Sequence, residues 1–267
     1  MIGERREKLR DYKGEDRVVS SHEMKLALDR RPEAVIRVKS LIPSLDHYIE
    51  DFRAGELIPI SGPTKNGKTL LAQTLTVNFE KQNQPSLWFT YEVPARQFLS
   101  QFPELPTIYL PAKLRAHALD WLEERILESF EKYHTRIVFV DHLHYLVDMA
   151  RMKSPSLEIG TVVRRLKGIA INNELVVFLL CHTIKGKQEG TLSYESIRDS
   201  SFVSQESDSV LMIQRKPDMG ENAARLRVEF HRRTGVLEKV VDLIKVNGLL
   251  QEVTHTDYKR QRKDIDD

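Results

Sequence analysis

The sequence has a single cysteine, Cys181, among 267 residues. That excludes an internal disulfide framework and any metal cluster built on several thiolates. A dominant sign of charge is missing as well: 41 Lys and Arg against 39 Asp and Glu leave a formal net charge of +2. With no global basic excess, any grip on nucleic acid has to come from a local basic stripe. No stretch approaches the roughly 20 apolar residues of a membrane span. The opening segment, MIGERREKLRDYKGEDR, lacks the apolar core of a secretory leader. No internal repeat is present, and no linker is long enough to split the chain. These absences point to an aqueous, reducing compartment, cytoplasmic or nucleoid-associated, with an organellar location left open. What is present is 40% hydrophobic and 30% charged residues, enough for a sizeable core under a charged surface.

Residues 1–40 read as a charged arm, either solvated or docked on a neighbouring subunit. A short helix is expected over 22–31, stopping near Pro32 because proline restricts the residue before it. Residues 41–250 read as one α/β domain and 251–267 as a charged tail. Within the domain LIPIS (57–61), SLWFTYE (86–92), TIYLP (107–111), RIVFVD (136–141) and LVVFLLC (175–181) read as strands. Their near-continuous apolar runs suit a parallel sheet covered on both faces. TLLAQTLTVNFEKQ reads as a helix, and LDWLEERILESFEKYH (119–134) as another with Leu119, Leu122, Ile126, Leu127 and Phe130 on one face. In IGTVVRRLKGIAIN (159–172), Val162, Val163, Leu166 and Ile169 face inward, with Arg164, Arg165 and Lys167 outside. Later strands are expected over 210–215, 225–233 and 240–245. The alternation predicts right-handed βαβ units, an α/β fold whose mostly parallel sheet carries helices on both faces.

The strongest local signal is GPTKNGKT (62–69), a complete G-x-x-x-x-G-K-[ST] with a strand before it and a helix after it. Gly62, Pro63, Thr64, Lys65, Asn66 and Gly67 form a loop whose backbone N–H groups and helix N-terminus face nucleotide phosphates. Lys68 reaches the terminal phosphates, and Thr69 offers a hydroxyl to Mg²⁺. Asp141 closes its strand where a carboxylate holds that Mg²⁺, usually through water. Glu92, at the same expected sheet edge, is placed to polarise an attacking water. His182 follows LVVFLLC at that edge, where an imidazole can hydrogen-bond the γ-phosphate. His142 and His144 flank Leu143 just after Asp141. Because the phosphate site already employs Asp141, these histidines are not read as a metal cluster. Cys181 reads as a small buried hydrophobe.

Taken together, these residues resemble the RecA-type P-loop ATPase domain of hexameric replicative helicases, the DnaB-like superfamily 4. The likeness is greatest to the branch of phage primase-helicases and the mitochondrial helicase Twinkle. It runs from SLDHYIEDFRAGELIPISGPTKNGKT (44–69) through FTYE (89–92), VFVDHLHYLV (138–147), LKGIAINNELVVFLLCHTIKG (166–186) and IRDSSFVSQESDSVLMIQR (197–215) to VEFHRRTG (228–235). The resemblance implies ATP and Mg²⁺ as ligands, Glu92 as catalytic base and Asp141 as the Walker-B aspartate. His182 then couples the γ-phosphate to DNA-facing loops, and Arg232 is an arginine finger for the next subunit's ATP, with Arg233 next in register. It implies a ring, a hexamer, on single-stranded DNA, with a primase or loader as partner. The matching channel loops are 149–158 and 183–201, the second carrying Lys185, Lys187 and Arg198 as DNA-binding candidates. Two features depart from the family. Phe230 stands where a lysine usually precedes the finger, and a short arm stands where relatives carry a further domain and linker helix. Besides a helicase, the residues allow a recombinase-like or loader ATPase, or a nucleotide-dependent scaffold that barely hydrolyses.

Overall fold

The computed structural model describes residues 2–14, 16–30, 36–147, 155–182 and 200–253. The chain divides into two compact units, Met1–Val35 and Ile36–Asp267. In the first, α1 (Ile2–Arg10) and α2 (Ser21–Asp29) are helical. The α2 helix is where the sequence puts it, and the Ser20 hydroxyl caps it by accepting the Glu23 N–H at 3.1 Å. By contrast, α1 has no apolar periodicity to announce it; it is a charged helix inside the segment read as a solvated arm.

The second unit begins with β1 (Arg37–Val38), α3 (Pro43–Ile49) and β2 (Phe52–Arg53), short elements the sequence pattern does not reveal. Then come β3 (Leu57–Gly62), α4 (Lys68–Glu80), β4 (Ser86–Thr90), α5 (Ala95–Leu99) and β5 (Ile108–Tyr109). After them lie α6 (Leu119–Tyr133), β6 (Ile137–Asp141), α7 (Pro155–Asn172), β7 (Val176–His182) and α8 (Ser200–Glu206). The chain continues through β8 (Ser209–Arg215), β9 (Ala223–His231), β10 (Val236–Val246) and β11 (Leu249–Glu252). Nine strands form one sheet in the order β11-β10-β9-β8-β3-β7-β6-β4-β5. The six from β8 to β5 are parallel, and β9, β10 and β11 add antiparallel strands at one side.

Alternate strand residues face opposite layers. Ile58, Ile60, Phe139, Phe178 and Leu180 point toward Leu71, Leu75 and Phe79 of α4. Leu57, Val138, Val140, Val177 and Leu179 point toward Leu122 and Ile126 of α6 and Val162, Val163 and Leu166 of α7. Although aromatics are only 7% of the chain, they are concentrated in the first layer. Trp88 stacks on Phe139 at 4.5 Å between ring centres, and Phe139 on Phe178 at 4.6 Å. The Trp88 indole N–H donates to the buried Thr76 hydroxyl at 3.0 Å, so no polar atom of this stack is stranded.

The structure departs from the sequence pattern at three places. Leu127 is exposed and Ser129 is buried on α6, because the helix turns its face slightly from the simple periodicity. Lys167, expected outside, is half-buried and donates to the Asp208 carboxylate at 2.6 Å and the Gly55 carbonyl at 2.7 Å. The helix α7 starts at Pro155, so the end of the 149–158 segment is helical, while 149–154 lie outside the described residues.

At the end of β9, His231 is only 1% exposed and its Nε2 lies 3.8 Å from Glu56 Oε1. Burial, reinforced by the neighbouring Arg233 charge, pushes its pKa down to about 4. Between the ordinary histidine value near 6.5 and about 4, the unfolded chain therefore binds a proton that the folded chain refuses. Stability then falls as pH drops through that window. Glu56, whose pKa burial raises, contributes the opposite slope over part of it. The comparison with His231→Gln separates the two: urea unfolding at stepped pH should show a shallower acid loss in the variant than in the parent.

Candidate functional site

The site forms where parallel ladders bring strand ends to one level. In the β3–β7 register Gly62 lies opposite His182, and in the β4–β6 register Thr90 lies opposite Asp141. Gly62 opens the phosphate loop against β8, where a Cβ would sit 2.1 Å from the Ile213 carbonyl oxygen; only glycine fits. Gly67 starts α4 with φ 97°, in the left-handed region. Between them Asn66 donates to the Thr64 carbonyl at 3.0 Å and accepts the Arg215 N–H at 2.9 Å. Arg215, at the end of β8, is thus a fastening point that the sequence motif does not disclose. Beside it, a cleft lined by Lys65, Asn66, Arg215, Asn222 and Lys245 flanks the loop.

The Lys68 ammonium is 6% exposed and donates to the Gly62 and Pro63 carbonyls, both at 2.9 Å. Burial lowers its pKa, opposed by the charges of Glu92 and Asp141. The Thr69 hydroxyl donates to Asp141 Oδ2 at 3.0 Å. Asp141 is buried, and its Oδ1 has no hydrogen-bond partner among the described residues. A hydroxyl and a half-satisfied buried carboxylate make a donor set that suits a hard divalent cation such as Mg²⁺. Burial first, then the adjacent Glu92 charge, push the Asp141 pKa up to about 7.

Glu92 lies two residues beyond β4 and is exposed. It meets two imidazoles there: Glu92, His142 and His182 each offer a ligand atom, all within 4.8 Å of one another. The His142 and His182 rings are 4.4 Å apart, and His142 Nδ1 accepts the His144 N–H at 3.4 Å. Burial pushes the His142 pKa down to about 3, helped by His182, His144 and Lys68, and burial also lowers that of His182. Both rings are neutral at pH 7 and able to hydrogen-bond an anion or bind a borderline cation. The sequence argues against grouping the histidines around a metal; the fold nonetheless gathers two of them with Glu92. Next to this group Tyr91 and Tyr145 stack at 5.6 Å, and the Tyr91 hydroxyl donates to the Arg115 carbonyl. Cys181 is buried with its thiol pushed up to about 12, inert as expected.

A sequence model of the DnaB-like helicase C-terminal domain matches residues 107–244, just over half of the chain. The chain belongs to the DnaB-like helicase family. It is an ATPase of the helicase type and binds nucleotide. Two solved structures share this fold. One is a DnaB-like replicative helicase determined with its interactions with primase, at TM-score 0.72 and 17% identity, covering 95% of this chain and 71% of that one. The other is an ATPase domain solved by itself, at TM-score 0.72 and 15% identity, covering 87% of this chain and 97% of that one. The match is to the DnaB-like family and does not single out the Twinkle branch. It also begins downstream of the phosphate loop, so Lys68, Thr69 and Glu92 rest on motif and geometry.

In this DnaB-like chain, Lys68, Thr69, Glu92, Asp141 and His182 converge, and Arg232 does not join them. It lies at the opposite sheet edge, exposed, with its side chain donating to the Gln205 carbonyl. Arg233, by contrast, is bound within its own subunit to Glu50, Asp51 and Glu56. Phe230 packs partly buried against the α6 and α7 layer. Lys185, Lys187 and Arg198 lie outside the described residues. No helix among the described residues is long and apolar enough to cross a membrane.

The raised pKa of Asp141 means that its ionisation opposes folding between pH 4 and about 7, since the unfolded carboxyl releases its proton earlier. Replacing it with neutral Asn should therefore raise the nucleotide-free thermal midpoint by about 3 °C, roughly 1 kcal/mol for a chain of this size. The same Asp141→Asn variant should lose ATP turnover by ~100-fold or more, since it loses the carboxylate suited to Mg²⁺. Calorimetry alongside phosphate release checks both; a destabilised, active variant contradicts the site.

Proposed function

We propose that this chain is the motor of a ring helicase, hydrolysing ATP between neighbouring subunits and drawing one DNA strand through the channel. What carries the reading is the separation of Arg232 from its own phosphate loop. His231 pairs with Ser209 at the start of β8, whereas Ser61 pairs with Met212 farther along the same strand. Gly62 is thus level with Ile213, four residues from Ser209, or about 13 Å along the sheet at ~3.3 Å per residue. A finger on the far edge suits a neighbour's ATP rather than its own, and a closed ring gives every site such a neighbour.

Within one such site, Lys68 exchanges the Gly62 and Pro63 carbonyls for phosphate oxygens. Mg²⁺ held by Thr69 and Asp141 neutralises charge on the phosphoryl oxygens. Glu92 accepts the proton of the attacking water, and Arg232 of the adjacent subunit stabilises the transferring phosphoryl. His182 hydrogen-bonds the terminal phosphate and passes its loss to 183–201, where Lys185, Lys187 and Arg198 contact the DNA backbone. With a net charge of only +2, grip on DNA then depends on repeated loops around a ring, giving salt-sensitive, sequence-independent binding. The rest of the reading is a core over 41–250, an arm over 1–40 that docks on a neighbour, a hexameric ring, and a primase or loader as partner. The DnaB-like structure solved with its primase interactions supports that last element.

Glu92→Gln tests the chemistry: turnover should fall by roughly 10²–10⁴-fold with ATP binding retained. Strand displacement on forked DNA, followed in parallel, tests the motor. Turnover in the parent without displacement replaces the helicase with a recombinase-like or loader ATPase. Turnover that is low and indifferent to Glu92→Gln leaves a nucleotide-dependent scaffold.

A further inference from the structure

Two arginines stand side by side after β9, yet their surroundings differ sharply. Arg232 is exposed and makes no ion pair among the described residues. The Arg233 guanidinium, in contrast, uses all three nitrogens. Its Nη1 donates to Glu50 Oε2 at 2.7 Å, its Nε to Glu56 Oε1 at 3.2 Å, and its Nη2 to Asp51 Oδ1 at 3.0 Å and the Ile49 carbonyl at 2.9 Å. These acceptors lie on the end of α3, on β2's approach and just before β3. Arg53 completes the cluster, donating to Asp51 Oδ1 at 2.6 Å and Glu50 Oε2 at 3.0 Å. Glu56 is 7% exposed and also accepts the Arg53 N–H at 2.9 Å.

The turn between β9 and β10 is held from its other side as well. The Arg232 N–H donates to the Asp208 carbonyl at 2.7 Å, and the Gly235 N–H to the His231 carbonyl at 2.9 Å. Asp208 itself accepts the Leu57 N–H at 2.8 Å and the Lys167 ammonium at 2.6 Å. The backbone of Arg232 is therefore pinned while its side chain is free to extend. Pinning of this kind is what a charge-stabilising group needs, because a group already aimed at the transition state loses little freedom on reaching it.

We infer that Arg233 is a positioning residue for Arg232: its three-carboxylate clamp fixes the turn from which Arg232 reaches a neighbouring subunit's ATP. The inference rests on reading Arg232 as the finger. It also assigns the doublet, since a guanidinium with all three nitrogens committed inside its own subunit is not the one that reaches outward. Because Glu56 adjoins Leu57, the clamp joins the finger turn to the root of β3, whose far end opens into the same subunit's phosphate loop.

The test measures steady-state ATP turnover of the full-length chain, with thermal midpoints and trapping of ADP with aluminium fluoride, a mimic of the transferring phosphoryl. Arg233→Lys keeps the charge and can satisfy one carboxylate but not bridge three. Arg233→Lys and Arg233→Ala should lower kcat at least tenfold, leave KM for ATP within twofold, and abolish fluoride trapping while ADP still binds. Glu56→Gln should show the same split, and the double variant should be no worse than the more affected single one. Folded Arg233 variants with unchanged kcat and trapping overturn the inference, as does a loss that tracks only the unfolded fraction. Arg232→Ala is run beside them. If it retains full turnover, the finger reading itself fails; if it loses turnover while the Arg233 variants do not, only the positioning role fails.

Discussion

The chemistry of this chain depends on the register of its central parallel ladders. Gly62 opposite His182 and Thr90 opposite Asp141 bring a phosphate loop, an imidazole and two carboxylates to one edge. A slip of one residue in either ladder reverses which side chains face α4 and which face α7. The apolar content of both layers therefore fixes the register, and the register fixes the site. The dependence is mutual at Gly62, where β8 comes so close that a side chain has no room.

The same edge concentrates groups that oppose one another. Asp141 and Glu92 share one small volume, Lys68 is buried, and two imidazoles are kept neutral by desolvation. A core selected for stability alone has no reason to assemble them. Such strain is what a site for a doubly charged cation and a chain of phosphates looks like before its ligands supply the balancing charges.

Much of this is legible in the sequence because it is local. The phosphate loop is contiguous, and strands buried on both faces read as unbroken apolar runs, so Lys68, Thr69, Asp141 and His182 stand out without a structure. Glu92 stands out too, although its strand stops at Thr90. What escapes is non-local or lacks a period. The helix α1 is charged all round, and β1, α3 and β2 are too short to show a pattern. Lys167 looks like any lysine on an outer helix face until Asp208, far along the chain, supplies its partner. The difference between Arg232 and Arg233 is equally invisible, since the carboxylates that distinguish them lie more than 170 positions earlier. The pairing of Glu92 with His142 and His182 needs three strands to be set side by side.

The aromatic stack under the sheet bears on how such a machine can move. Trp88, Phe139 and Phe178 sit on β4, β6 and β7, the strands that lead to Glu92, Asp141 and His182. Two near-parallel ring contacts across three neighbouring strands resist shear between them. The three strand ends therefore behave as a single stiff plate, and the distances among their functional groups change little when one strand is pushed. Displacement on hydrolysis then has to arise in the segments leaving the plate and in rotation of whole plates against one another. In mechanical terms the sheet is the anvil of the engine, and the stroke belongs to what is hinged on its rim.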